Sequence, residues 1–192
     1  MDLLKQKIIN EGKVYEGNIL KVDGFLNHRI DVPFLREAAK EFHRLFAEDG
    51  VNKILTIEAS GIAIGALVAQ EFDCPLVFAK KTKTKNIAGD VFTSKVDSFT
   101  HGTTYDIIVS KQYLDANDRV LIVDDFLAIG NALKGLIALV KDSGAQLAGC
   151  GVVIEKGFQH GGDKLREEGI KVESLAIIES MDAAKGEVYF RD

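Results

Sequence analysis

Val120-Leu121-Ile122-Val123-Asp124-Asp125-Phe126-Leu127-Ala128-Ile129-Gly130-Asn131-Ala132 carries four apolar residues straight into two carboxylates, then into a short glycine-bearing segment. From Ala132 onward the apolar residues recur at helical spacing. This order reads as a buried strand, a tight loop and a helix start. Two acids at one strand end repel each other, and burial adds a desolvation cost, so the pair calls for a partner. Carboxylates accept hydrogen bonds from vicinal sugar hydroxyls. Loop amides at the positive end of a helix dipole hold a phosphate. The segment therefore predicts a site for a phosphorylated sugar, although adjacent acids also occur at strand ends without function.

Working outward, the same alternation repeats. Lys53–Glu58, Pro75–Ala79, Arg119–Val123, Ala148–Ile154 and Val172–Ile178 are runs of Val, Ile and Leu. Helical patterns at Ile62–Phe72, Ala132–Lys141 and Gly162–Glu168 separate them. Continuous apolar strands alternating with helices predict an α/β fold, a parallel sheet flanked by helices, with ligands at the carboxyl ends of the strands. An amphipathic helix precedes the first strand. Asp31 is its expected N-cap, Pro33 lies in its first turn, and Leu35, Ala38, Ala39, Phe42, Leu45 and Phe46 form its apolar face up to Gly50. A further short helix is expected at about residues 2–11. Residues 80–118 break the rhythm with Lys, Thr, Ser, Gly and Asp around alternating pieces at Val91–Val96 and Tyr105–Ser110. A two-stranded β flap that acts as a flexible lid is the expectation there.

The chain of 192 residues is 46% hydrophobic, with 18 Gly and 2 Pro, which suits one ordered domain over residues 1–192. Its formal net charge of −5 supplies no general field for nucleic acid. Cys74 and Cys150 form no C-x-x-C pair, and His28, His43, His101 and His160 have no metal-ligand spacing. No secretory signal or membrane span is visible, so a cytoplasmic protein is expected.

Three further segments carry chemistry. Glu58-Ala59-Ser60-Gly61 joins a strand end to a helix start, and its amides converge on an anion. Ser60 is equally well explained as an N-cap. The run Lys80-Lys81-Thr82-Lys83-Thr84-Lys85 precedes the flap. Lysines there would stabilise an anionic leaving group, while a solvated face is the ordinary reading of such a run, and RNA binding is disfavoured without interleaved aromatics. Lys156 follows an apolar strand. A surface ion pair with Glu155 is one reading, and donation to a ligand oxo group is the other. Phe158 beyond it is either a stacking platform or core.

The wording from Val120 to Ala132 resembles the signature of the type I phosphoribosyltransferases, which bind 5-phosphoribosyl 1-pyrophosphate. The likeness continues through Gly17–Asp23 with Phe25–His28, through Glu58–Ala63 and through Val153–Phe158, in order and over nearly the whole chain. Within the family it is similar to the branch that uses xanthine. The resemblance implies a small N-terminal hood at about residues 1–32. It implies that Asp124 and Asp125 hold the ribose hydroxyls, and that Ala128, Ile129, Gly130, Asn131 and Ala132 wrap the 5′-phosphate. It further implies that Ser60, Gly61 and Lys80 hold pyrophosphate with Lys81 beside the leaving group, and that Leu20, Asn27, Lys156 and Phe158 surround the purine. Mg²⁺ held mainly by substrate oxygens, a homodimer, and no nucleic-acid or membrane partner complete what it implies.

The chain departs from the family pattern at three places. Many members carry Thr or another polar residue where Ile129 stands, and often Thr at Ala132, so backbone amides must do more of the phosphate holding. Several enzymes of 6-oxopurines place an Asp where this chain has Ala128. The reaction implied is phosphoribosyl transfer to xanthine. Transfer to adenine or guanine, and a regulator that senses the activated sugar, are the alternatives.

Overall fold

The computed structural model describes residues 1–81, 89–98 and 103–191. Lys83, Lys85 and His101 lie outside these residues. Helix α1 (Asp2–Glu11) leads into a small hairpin of β1 (Lys13–Tyr15) and β2 (Ile19–Lys21), and a wide helical turn at Asp23–Asn27 follows. Together these form the expected hood. Leu4, Ile8, Leu20, Val22, Phe25 and Leu26 are its buried residues. In α2 (Val32–Phe46), Asp31 Oδ1 accepts a hydrogen bond from the Phe34 amide at 3.1 Å, so the cap is where the sequence puts it.

The main sheet contains β3 (Lys53–Ile57), β4 (Leu76–Ala79), β7 (Arg119–Leu127), β8 (Gln146–Lys156), β9 (Val172–Asp182) and β10 (Glu187–Phe190), in the order β10-β9-β8-β7-β3-β4. All neighbours are parallel except β9 and β10. The expected parallel sheet is present, and the antiparallel edge strand β10 is an addition to it. Helix α3 (Gly61–Glu71) connects β3 to β4, α4 (Asn131–Asp142) connects β7 to β8, and α5 (Gly161–Glu167) connects β8 to β9. From β3 the chain turns outward to β4 on one side, whereas β7 lies on its other side and leads on to β8 and β9. The ends of β3 and β7 therefore flank the crevice where strand order reverses.

Alternation along β7 splits the core into two layers. Leu121 and Val123 pack with α1, α2 and α3 through Leu4, Phe42 and Ile64. Val120 and Ile122 pack with α4 and α5 through Leu136 and Leu165. The flap, β5 (Val91–Ser98) paired antiparallel with β6 (Thr103–Ser110), joins the second layer through Val96 and Ile107.

Candidate active site

Strand β7 is longer than its apolar run suggests. It stays paired with β8 through Asp124↔Val152, Phe126↔Ile154 and Leu127↔Glu155, so both acids sit inside the strand instead of beyond it. Asp124 and Asp125 are only 4% and 7% exposed. The Asp125 amide donates to Asp124 Oδ1 at 2.9 Å, and the Phe126 amide donates to Asp125 Oδ1 at 3.0 Å. Burial, and then the neighbouring charge of Asp125, push the Asp124 carboxyl well above the usual carboxylate range, opposed in part by the charge of Lys81. From the hood, Asn27 Nδ2 donates to Asp125 Oδ2 at 3.3 Å.

The next segment, 128–132, turns the strand into α4. Gly130 caps that helix in the left-handed region, with φ at 93°, a conformation that suits glycine. With Tyr105 and Phe126 these residues line a cavity of about 190 Å³. Ala128, Ile129, Asn131 and Ala132 are partly exposed. The Asn131 side chain is turned to the flap, where Nδ2 donates to the Asp97 carbonyl at 2.9 Å. What this segment offers an anion is therefore backbone amides and the α4 dipole.

The loop after β3 is built differently. The peptide bond between Glu58 and Ala59 is cis. Ser60 precedes α3 without a side-chain capping bond, so the capping reading of Ser60 is not realised. A Cβ on Gly61 would stand 2.0 Å from Thr56 Oγ1 and 3.2 Å from Asp124 Oδ1, so α3 begins where only glycine fits against β3. The buried Thr56 hydroxyl has no hydrogen-bond partner among the described residues. Glu58 Oε1 accepts from the Lys81 amide at 2.8 Å, which ties this loop to the root of the flap. The two lysines diverge. Lys81 Nζ lies 5.6 Å from the Tyr105 ring centroid, on the Asp124 side. Lys80 pairs its backbone with Ile108, and its side chain stands by Phe78, lining a cavity of about 570 Å³ on the outer side of β4. Of these two lysines, Lys81 is the one whose charge reaches Asp124.

At the end of β8, Glu155 does not pair with Lys156. Glu155 is fully buried and bonded to Arg166 in α5, at 2.7 and 3.0 Å. Lys156 is left with the hood, where Nζ donates to the Asn18 carbonyl at 2.9 Å and lies 5.8 Å from the Phe126 ring centroid. Burial lowers its pKa. Phe158 packs partly buried against the core, and Leu20 is core as well. Phe126 is thus the aromatic beside the ammonium. It follows directly on the acid pair, a signal the sequence held, whereas the Asn18 carbonyl and Tyr105 are joined to the site only by the fold.

The site thus brings together an acid pair, two amide loops at helix starts, and a half-buried ammonium beneath a hood. A model of the phosphoribosyl transferase domain matches residues 25–186. The chain is 59% identical to a xanthine phosphoribosyltransferase of Lachnoclostridium phytofermentans, over 100% of this chain and 98% of the relative. It is 55% identical to one of Ruminiclostridium cellulolyticum, over 95% and 96%. Among solved structures, the APRTase of Giardia lamblia superposes with a TM-score of 0.76 at 22% identity, over 92% of this chain and 98% of that one. The chain belongs to the phosphoribosyl transferase domain family.

Proposed function

We propose that this protein transfers the 5-phosphoribosyl group from 5-phosphoribosyl 1-pyrophosphate to N9 of xanthine, giving xanthosine 5′-monophosphate and pyrophosphate. The observation that carries the choice of base is Lys156. An ammonium has three N–H donors and no acceptor, and one donor is used on the Asn18 carbonyl. The others suit a purine 6-oxo group and disfavour the 6-amino group of adenine. The names of the full-length relatives support the same base.

In this reading the ribose hydroxyls donate to Asp124 and Asp125, and the 5′-phosphate takes the amides of 128–132. Pyrophosphate lies between Ser60–Gly61 and Lys81. N9 of xanthine attacks C1′ as the C1′–O bond to pyrophosphate breaks, with inversion. Xanthine is an acidic purine that arrives partly ionised, and the imidazole N–H proton it loses on N9 attack passes to the departing pyrophosphate or to solvent, with no protein base at Ala128. Catalysis is then positioning together with stabilisation of the departing anion. Mg²⁺ fits the donor chemistry, since it takes oxygen ligands and keeps waters, and the oxygens of the activated sugar would supply most of its coordination without a dedicated protein ligand. Bound, it would neutralise charge on the leaving pyrophosphate. Closure of the flap over the sugar, assembly as a homodimer and a cytoplasmic setting belong to the same proposal.

The test supplies xanthine, guanine, hypoxanthine and adenine separately with the activated sugar and Mg²⁺. Xanthine is expected to give the highest kcat/KM. Lys156→Ala is expected to raise the xanthine KM by about 10–100-fold, the worth of a charge-assisted hydrogen bond of about 1.5–3 kcal/mol. A preference for adenine would overturn the role of Lys156.

A further inference from the structure

Beneath the phosphate-facing segment 128–132 lies the start of α5, in backbone contact with it. A Cβ on Gly161 would stand 2.2 Å from the Ala128 carbonyl oxygen, 2.6 Å from Ile129 C and 2.8 Å from the Gly130 amide nitrogen. Every one of these atoms is main chain, so none can rotate away. The contact is mutual, because a Cβ on Gly130 would meet Gly161 Cα and its carbonyl oxygen at 3.7 Å. One residue on, a Cβ on Gly162 would stand 2.2 Å from Glu155 Oε1 and 2.8 Å from Arg166 Nη1. The two glycines therefore separate the phosphate segment from the buried Glu155 carboxylate by the thickness of one backbone.

That carboxylate is held from several sides. It accepts Arg166 Nη1 at 3.0 Å and Nη2 at 2.7 Å, and the Ser174 hydroxyl from β9 at 2.5 Å. Arg166 Nε in turn donates to the Val172 carbonyl at 3.1 Å. A buried charge with a bidentate partner and a further donor has one geometry, and removing a partner is costly. Glu155 also pairs in register with Leu127, the residue that ends β7, and it directly precedes Lys156. One fixed carboxylate thus joins the underside of the phosphate segment to the lysine that faces the purine.

Resting on the function proposed above, we infer that Gly161 is a positioning residue for the 5′-phosphate, and that Glu155 with Arg166 clamps α5 so that Gly161 holds the backbone of 128–130 at the height where its amides meet that phosphate. None of the three touches substrate. All act through the segment above them, and the effect falls on the phosphate end of the ligand before it falls on the base.

The experiment measures ribose 5-phosphate binding by calorimetry, and the KM values for activated sugar and for xanthine, in the wild type, Gly161→Ala, Glu155→Gln and Lys164→Ala, with thermal melts of each. Lys164 is an exposed residue of the same helix. Gly161→Ala is expected to weaken ribose 5-phosphate at least tenfold and to raise the sugar KM by a similar factor, with the xanthine KM within about twofold. Glu155→Gln keeps the shape and loses the charge, and is expected to raise the sugar KM by about threefold to tenfold with the same split. Lys164→Ala is expected to match the wild type. Should Gly161→Ala fail to fold, Glu155→Gln decides by the same split. Sugar and xanthine KM rising together, or ribose 5-phosphate binding unchanged in a folded variant, would overturn the inference. Wild-type protein that does not bind ribose 5-phosphate would overturn the proposed function, and this inference with it.

Discussion

Two loops face one another across the crevice, and they are made in opposite ways. The loop after β7 is a backbone device, in which Gly130 takes a left-handed conformation, the amides open toward a cavity, and the Asn131 side chain is tied to the flap. The loop after β3 depends on side chains, since Glu58 binds the Lys81 amide and Gly61 sits against the Thr56 hydroxyl and Asp124. The first should tolerate substitution of its outward side chains. The second should not, because Glu58 and Gly61 each sit against a neighbour that a substitution would displace.

The largest effect is expected at Gly61. Gly61→Ala puts a methyl 2.0 Å from Thr56 Oγ1 in a packed interior. Overpacking of this kind costs about 1–3 kcal/mol, and the displaced loop is expected to cut kcat/KM by roughly 100-fold. Adding Thr56→Ala removes the oxygen that clashes and is expected to restore part of that loss. No recovery in the double variant would mean that the loop is not set by this contact.

Asp124 lies between the loops and sharpens the comparison through pH. Its pKa is raised in the folded protein above the ordinary 3.8. A carboxyl with a raised folded pKa contributes stability below the unfolded value and loses it as pH rises through the folded one. At neutral pH its charge is therefore a liability for folding. Asp124→Asn is expected to raise Tm by a few degrees at pH 8, with the gain shrinking as pH falls toward 3.8. Activity is expected to fall at the same time, because the hydroxyl acceptor is weakened. A variant less stable than the wild type at pH 8 would contradict this account of the buried pair.

Ile129→Thr is the smallest expected effect. It supplies the hydroxyl that many members carry, yet in the proposed binding mode the anion is held by amides. The sugar KM is expected to change by less than about threefold, below the roughly fivefold that a typical neutral hydrogen bond of about 1 kcal/mol would supply. A tenfold gain would show that side-chain hydroxyls matter here after all.

The same contrast explains how much could be read from the residues. The sheet was legible because strands buried on both faces are continuous runs of Val, Ile and Leu. The acid pair and the loop after β7 were legible because they follow one another in the chain. Strand β10 was not, since four residues, Glu187–Phe190, form an edge whose pairing depends on β9 being in place. The end of β7 was misjudged because two acids look like a stop, whereas β8 carries the pairing past them. The ion pair first entertained for Lys156 went wrong for a tertiary reason, because Arg166 comes back from α5 to claim Glu155. Side-chain determinants drawn from several elements, such as Asn18, Tyr105 and Thr56, leave no local pattern.

A crystal structure with xanthosine 5′-monophosphate bound tests the central claim most directly. The account predicts the phosphate on the amides of 128–132, the ribose hydroxyls on Asp124 and Asp125, and the 6-oxo group on Lys156 Nζ beneath the hood. A phosphate seated elsewhere, or a purine turned away from Lys156, would contradict it.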